Sequence, residues 1–211
     1  MRTIHPGSQS DIPYNNFEIE RDSGTINGDF MRLDGYGPIA TGIQLAREQG
    51  KLAILDAGCG TGYGLADLKD QISFRAPVPE ESIEALGVAL SDVRAQSEIP
   101  WREKEKLSNG YIALRIGNLG TIDLRPERYD LAYSFEVLLH NEVVAPILSN
   151  VTNSLRVGGT YYFNSLVDQT DEIKDFIASQ GPRLEFQSNQ VTRDQIGGTA
   201  TRAFHKIVRN A

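Results

Sequence analysis

The sequence predicts an α/β protein, with a doubly wound, mostly parallel sheet and a closing hairpin. Three observations predict it. Short apolar runs alternate with amphipathic helical segments five times along the chain, a pattern that covers both faces of a parallel sheet with helices. The first apolar run ends in a glycine-rich turn, AILDAGCGTGYG, at residues 53–64. The C-terminal stretch holds two strand-like segments, RLEFQSNQVT and TRAFHKIVR, joined through a glycine pair, which reads as a hairpin.

The elements follow in order. Residues 1–35 are polar, rich in Pro, Ser, Asn and Gly, and without a clear period. They predict an N-terminal arm or lid ahead of a domain over 36–211. GPIATGIQLAREQG puts Pro38 at a first helical position, with Ile39, Ala40, Ile43 and Ala46 on one face and Gly50 as the stop. KLAILDAG is a buried first strand, and GLADLKDQI a helix with Leu65, Leu68 and Ile72 inward. SFRAPVPEES, with two prolines, reads as a surface loop. IEALGVAL is the second strand, SDVRAQSEIPWREKEKLSNG a helix broken at Pro100, YIALRIG the third strand and YDLAYSF the fourth. EVVAPILSNVTNSLRVGG predicts a helix carrying Val144, Ile147, Leu148, Val151 and Leu155, with Pro146 in its first turns and two glycines at its end. TYYFNSL is the fifth strand, with Tyr161 and Phe163 as packing residues, and TDEIKDFIASQG a helix capped by Thr170 or Asp171.

Composition bounds the function. A chain of 211 residues that is 40% hydrophobic fits one globular domain. Its net charge of −7, from 28 acidic and 21 basic residues, argues against a nucleic-acid partner, because phosphate contacts need clustered Lys and Arg. No apolar run approaches the roughly 20 residues that span a membrane, and the N-terminal stretch has no apolar signal core. The single Cys59 has neither a disulfide partner nor zinc-ligand spacing. The expectation is a soluble cytoplasmic domain with no membrane partner and no metal.

The glycine turn carries the chemistry. Glycine stands at 58, 60, 62 and 64, directly after Asp56-Ala57. A dinucleotide turn needs Gly-x-Gly-x-x-Gly. From Gly58 the third glycine falls on Tyr63, and from Gly60 on Leu65. No Gly-Lys-Ser/Thr follows, so a P-loop fails too.

LDAGCGTG resembles motif I of the class I S-adenosylmethionine-dependent methyltransferases. The likeness continues through IGNLGTIDLRPERYDLAYSFEVLLH and LRVGGTYYFN, and covers about residues 36–166. It implies a Rossmann-like methyltransferase fold, with a seven-stranded sheet whose last strand is reversed. It implies S-adenosyl-L-methionine as cofactor and methyl transfer to a small-molecule acceptor. By the same resemblance Gly58, Gly60 and Gly62 let the backbone pass against the cofactor's methionine part. Asp56 orients the turn and meets the amino-acid end, directly or through water. Asn118 hydrogen-bonds the adenine through its carbonyl oxygen, and Leu119 packs on the ring. Ser134, Phe135 and Glu136 face cofactor and substrate. Tyr36 is either a lid over the cofactor or core, and Trp101 either a partner contact or packing. His140 is the candidate general base, or else a structural histidine near the start of a helix.

One position departs from the family pattern. The second strand ends GVALSD, so Ala89 stands where the resemblance expects the acid that binds both ribose hydroxyls. Asp92 either turns back to the ribose or caps the next helix. The departure leaves open a weaker cofactor site, a substitute residue, or a methyltransferase-like binding or scaffold protein without turnover.

Overall fold

The computed structural model describes residues 37–90, 110–135, 137–141, 144–195 and 198–211. The predicted arm over 1–35, Tyr36, Asp92, Trp101, Glu136 and the broken helix around Pro100 lie outside the described residues. So do the side chains of Tyr63 and His140 and those of residues 189–202.

The described chain runs α1 (Pro38–Gln49), β1 (Leu52–Ala57), α2 (Tyr63–Arg75), β2 (Ile83–Ala89), β3 (Ala113–Ile116) and β4 (Tyr129–Ser134). It continues α3 (Ala145–Ser154), β5 (Leu155–Leu166), α4 (Thr170–Gln180), β6 (Leu184–Gln195) and β7 (Gly198–Arg209). Among the described residues the strands form one seven-stranded sheet in the order β3-β2-β1-β4-β5-β7-β6. β7 runs antiparallel to both its neighbours, while the pairs from β3 across to β5 are parallel. Strand order reverses between β1 and β4, which opens a crevice at their carboxyl ends.

Sequence periodicity explains the layers. All residues of β1 and β4 are buried, as continuous apolar runs require when both faces are covered. On β1, Ala53, Leu55 and Ala57 enter one core with residues of α3 and α4, while Leu52 and Ile54 enter a second with residues of α1 and α2. α1 starts at Pro38 and stops at Gly50, whose φ is +68° and whose N–H bonds Ala46 O at 2.9 Å. The β6–β7 ladder continues to Gln195↔Gly198, whereas β5 pairs with β7 only as far as Leu166↔Arg202. The hairpin therefore runs past β5 at the sheet's carboxyl edge.

Four expectations need correction. α2 extends to Arg75 and a short 3-10 turn spans Glu80–Ser82, so the expected 73–82 loop is confined to its middle. β3 covers only Ala113–Ile116, because the strand pairs on one side only, with β2. α3 ends at Ser154, ahead of the two glycines. Those glycines form an irregularity in β5, where pairing to β4 jumps from Tyr129↔Leu155 to Leu131↔Thr160. A Cβ on Gly159 would stand 2.9 Å from both Tyr129 O and Arg156 O, so only glycine lets the strand turn there. The irregularity places Arg156 against the buried Asp130, whose other oxygen accepts from Ala53 N at 2.8 Å. Finally, neither Thr170 nor Asp171 caps α4. A 3-10 turn over Val167–Gln169 leads straight into the helix, which makes Gln169 the N-cap and Thr170 a buried first residue.

α3 has no basic residue in its last turn. Arg209, from the far end of the chain, supplies the cation. Its guanidinium donates to Asn153 O and Leu155 O at 2.9 and 2.5 Å and pairs with Glu127 at 2.8 Å. Arg209→Met should lower stability by about 2 kcal/mol, the value of charged hydrogen bonds at a helix end. Urea unfolding should show a lower midpoint with an unchanged m-value.

His205 on β7 is buried between the rings of Phe163 and Phe186, with centroids at 4.8 and 5.4 Å. Ser165 Oγ donates to Leu166 O and so accepts from His205 Nε2 at 2.8 Å. Nδ1 then has a bare lone pair with no partner among the described residues. Burial, aided by the charge of Lys174, lowers the imidazole pKa from 6.5 to about 4. Between those values the unfolded chain binds the extra proton, so stability falls as pH drops from about 6.5 toward 4. The full loss is roughly 3 kcal/mol. Urea midpoints against pH should show this slope, and His205→Phe should flatten it.

Candidate functional site

The glycine turn sits at the crevice, between the carboxyl ends of β1 and β2 and the start of α2. Gly58, Gly60 and Gly62 have φ of +111°, +55° and +86°, a left-handed alternation that side chains resist. Gly58 N and Cys59 N both donate to Val88 O at 2.9 Å, and Gly62 N donates to Cys59 O at 2.9 Å. These three N–H groups are used inside the protein, so they offer no cradle to a phosphate.

Two of the glycines are bare for a reason the sequence did not show. A Cβ on Gly58 would stand 2.1 Å from Val137 Cγ2, and one on Gly62 would stand 2.7 Å from Ile112 Cδ1. Their missing side chains admit protein neighbours. Cys59 is fully buried, and its Sγ fills the place a Cβ on Gly87 would need. Cys59 is therefore a packing residue.

Beneath the turn lies a buried polar group. Asp56 is the one charged residue in β1, on the face of Leu52 and Ile54, and is fully buried. Tyr133 stands opposite it in register and donates its hydroxyl to Asp56 Oδ2 at 2.6 Å. On the other face of β4, Ser134 Oγ and Tyr161 OH share a hydrogen bond of 2.5 Å. Burial and the nearby Asp56 charge raise the Tyr161 pKa, while its hydrogen bond to Ser134 acts the other way. The Ser134 hydroxyl is thus spent inside the core. Phe135, at the end of β4, packs in the second core with Tyr162 and Phe204.

The region around Asn118 is also more occupied by the protein's own contacts than the sequence suggested. Asn118 is exposed, and its Oδ1 accepts from Gly120 N at 2.8 Å. A carbonyl has two lone pairs, so one remains. Leu119 is buried in the first core with Ile147. Ala89 ends β2, where its carbonyl accepts from Gly117 N. Leu90 and Ile116 beside it are exposed, which makes this edge apolar where an acid was expected.

The segment after β4 completes the site. Leu138–His140 forms one 3-10 turn. Gln169 Nε2 donates to both Leu138 O and Asn141 O, at 2.9 and 3.0 Å. Sequence reasoning missed Tyr133, Val137 and Gln169. Only the pairing of β4 with β1 could have pointed to Tyr133.

A sheet of this order, with a glycine turn over a buried carboxylate at its switch point, defines a Rossmann-like methyltransferase fold. The model of a family described as "Methyltransferase domain" matches residues 55–163, and the chain belongs to that family. Among similar solved structures is an S-adenosylmethionine-dependent methyltransferase from Mesorhizobium loti, 16% identical, with TM-score 0.55, covering 82% of this chain and 99% of that one. Another is the plantazolicin methyltransferase BpumL, in complex with a pentazolic desmethylPZN analog and SAH. It is 12% identical, with TM-score 0.59, over 92% of this chain and 90% of that one. The [4+2]-cyclase SpnF is similar too, at 13% identity and TM-score 0.57, over 80% of this chain and 81% of that one. No curated protein sequence matches the chain. No helix among the described residues is long and apolar enough to cross a membrane.

Tyr133→Phe should cost about 1.5–3 kcal/mol, because it removes a buried donor from a carboxylate. Urea denaturation measures this directly, and an unchanged midpoint would mean that Asp56 does not depend on Tyr133.

Proposed function

We propose that this chain binds S-adenosyl-L-methionine at the glycine turn and transfers its methyl group to a small-molecule acceptor. The observation that carries the reading is the buried Asp56 at the end of β1, two residues ahead of the glycine turn and held by Tyr133. The three N–H groups turned inward disfavour a phosphate, and a buried carboxylate beneath the turn favours a cationic ligand end. Membership of the methyltransferase domain family and the likeness to a structure holding SAH support it.

When bound, the cofactor supplies an electrophilic methyl group on a sulfonium centre. The chain's task is to hold and align. Asp56, fixed by Tyr133, stabilises the positive end through the turn. Gly60 gives the backbone a close approach, and Gly58 and Gly62 shape the turn. Asn118 offers its second lone pair to the adenine amino group, beside Leu119. Ser134 and Phe135 support the crevice floor from within the two cores. Asp92 is proposed for the ribose in place of the missing acid at Ala89. His140, on the segment after β4, is proposed to take a proton from the acceptor. The β6–β7 hairpin, which runs past β5, makes one wall for that acceptor. The net charge of −7 favours a small molecule over a nucleic acid.

A second reading, cofactor or ligand binding without turnover, is favoured by the apolar edge at Ala89, Leu90 and Ile116. Calorimetric titration with S-adenosylhomocysteine separates the two. The wild type should bind, and Ala89→Asp should tighten binding by roughly ten- to hundredfold, the value of one charge-assisted hydrogen bond. If Asp92 already serves the ribose, that gain vanishes and Asp92→Ala weakens binding instead. No binding at millimolar ligand would remove the methyl-transfer reading.

A further inference from the structure

Residues 137–141 follow β4 and bring Val137 against Gly58 of the glycine turn. This segment belongs to no strand of the sheet, and side-chain hydrogen bonds hold it. Leu138 anchors it in the first core, fully buried. Asn141 Nδ2 donates back to Val137 O at 2.7 Å, which closes the turn on itself. Glu172 on α4 accepts from Val144 N at 3.0 Å. The central fastening is one amide. Gln169 Oε1 accepts from Leu166 N at 3.1 Å, which ties the side chain to the end of β5. Its Nε2 donates to Leu138 O and Asn141 O, the carbonyls on either side of residues 139–140.

That amide sets a distance. Val137 occupies the space where Gly58 lacks a side chain, so the segment and the glycine turn are in direct contact. If the segment shifts, Val137 leaves Gly58 and the turn loses a wall. His140 shifts with it, since it lies between the two carbonyls that Gln169 holds.

We propose that Gln169 is the positioning residue that holds segment 137–141 against the glycine turn, and so sets the width of the cofactor site. It touches neither cofactor nor acceptor and acts through Val137 and the Leu138–His140 turn. The inference rests on the methyltransferase reading for its ligand. It goes beyond that reading in assigning the site's geometry to a side chain on the β5–α4 connection.

The test compares three variants by titration with S-adenosylhomocysteine, urea unfolding and amide hydrogen exchange. Gln169→Met keeps the length and removes all three hydrogen bonds. Gln169→Glu keeps the acceptor for Leu166 N and removes the donor to both carbonyls, and it serves if the Met variant does not fold. Arg209→Met is the control, at the opposite edge of the sheet. Both Gln169 variants should weaken S-adenosylhomocysteine binding by about tenfold, because both lose the two hydrogen bonds that Gln169 donates to the segment. Both should speed exchange of the Asn141 amide, which donates to Leu138 O. Arg209→Met should lower the urea midpoint and leave affinity unchanged, which separates positioning from general stability. Wild-type affinity in the Gln169 variants overturns the proposal. If the wild-type protein itself binds no S-adenosylhomocysteine, the cofactor reading fails and exchange alone decides. Unchanged exchange at Asn141 then overturns the clamp, and faster exchange upholds it.

Discussion

A carboxylate buried at the centre of a sheet needs a donor, and here Tyr133 supplies one. The rest of the site follows from that contact. Pairing of β1 with β4 sets Tyr133 opposite Asp56, and the 2.6 Å bond fixes the acid at the end of β1, two residues ahead of the glycine turn. The turn can then curl over it only with glycine at its left-handed positions. The bonds to Val88 O fasten it to β2. The switch point thus holds a buried carboxyl group fixed by a tyrosine hydroxyl, in a low-dielectric setting where electrostatic interactions are stronger than at the surface.

Two layers of support surround this centre. One lies across the sheet, where Ser134 and Tyr161 bond each other and Tyr161 stacks on Phe163 at 4.7 Å. The other lies above it, where Val137 fits against Gly58 under the hold of Gln169. Both use side chains whose polar atoms are engaged within the protein.

Much of the fold was legible because apolar periodicity and punctuation agree. Pro38 and Gly50 bound α1 as read, the reversed hairpin strand appears, and the buried faces of α2 and α3 carry the residues expected. The end of α3 was not legible. Two glycines look like a helix stop, yet their role is to bend β5 around Tyr129 O, a constraint set by a neighbouring strand. The cap of α4 was misread for a similar reason, since Gln169 is committed to a loop distant in sequence. At the site, the motif located the turn and Asp56. It did not show that Val137 and Ile112 fill the glycine positions, or that Leu119 and Ser134 face inward. Those contacts join residues far apart in sequence.

The central claim is that the turn over Asp56 binds S-adenosylmethionine. Amide chemical-shift mapping during titration with S-adenosylhomocysteine tests it most directly. The account predicts saturable shifts concentrated at residues 56–62, 117–120 and 137–141, with little change along the amino edge near Leu155 and Arg209. Shifts that avoid the glycine turn, or none at saturating ligand, would contradict it.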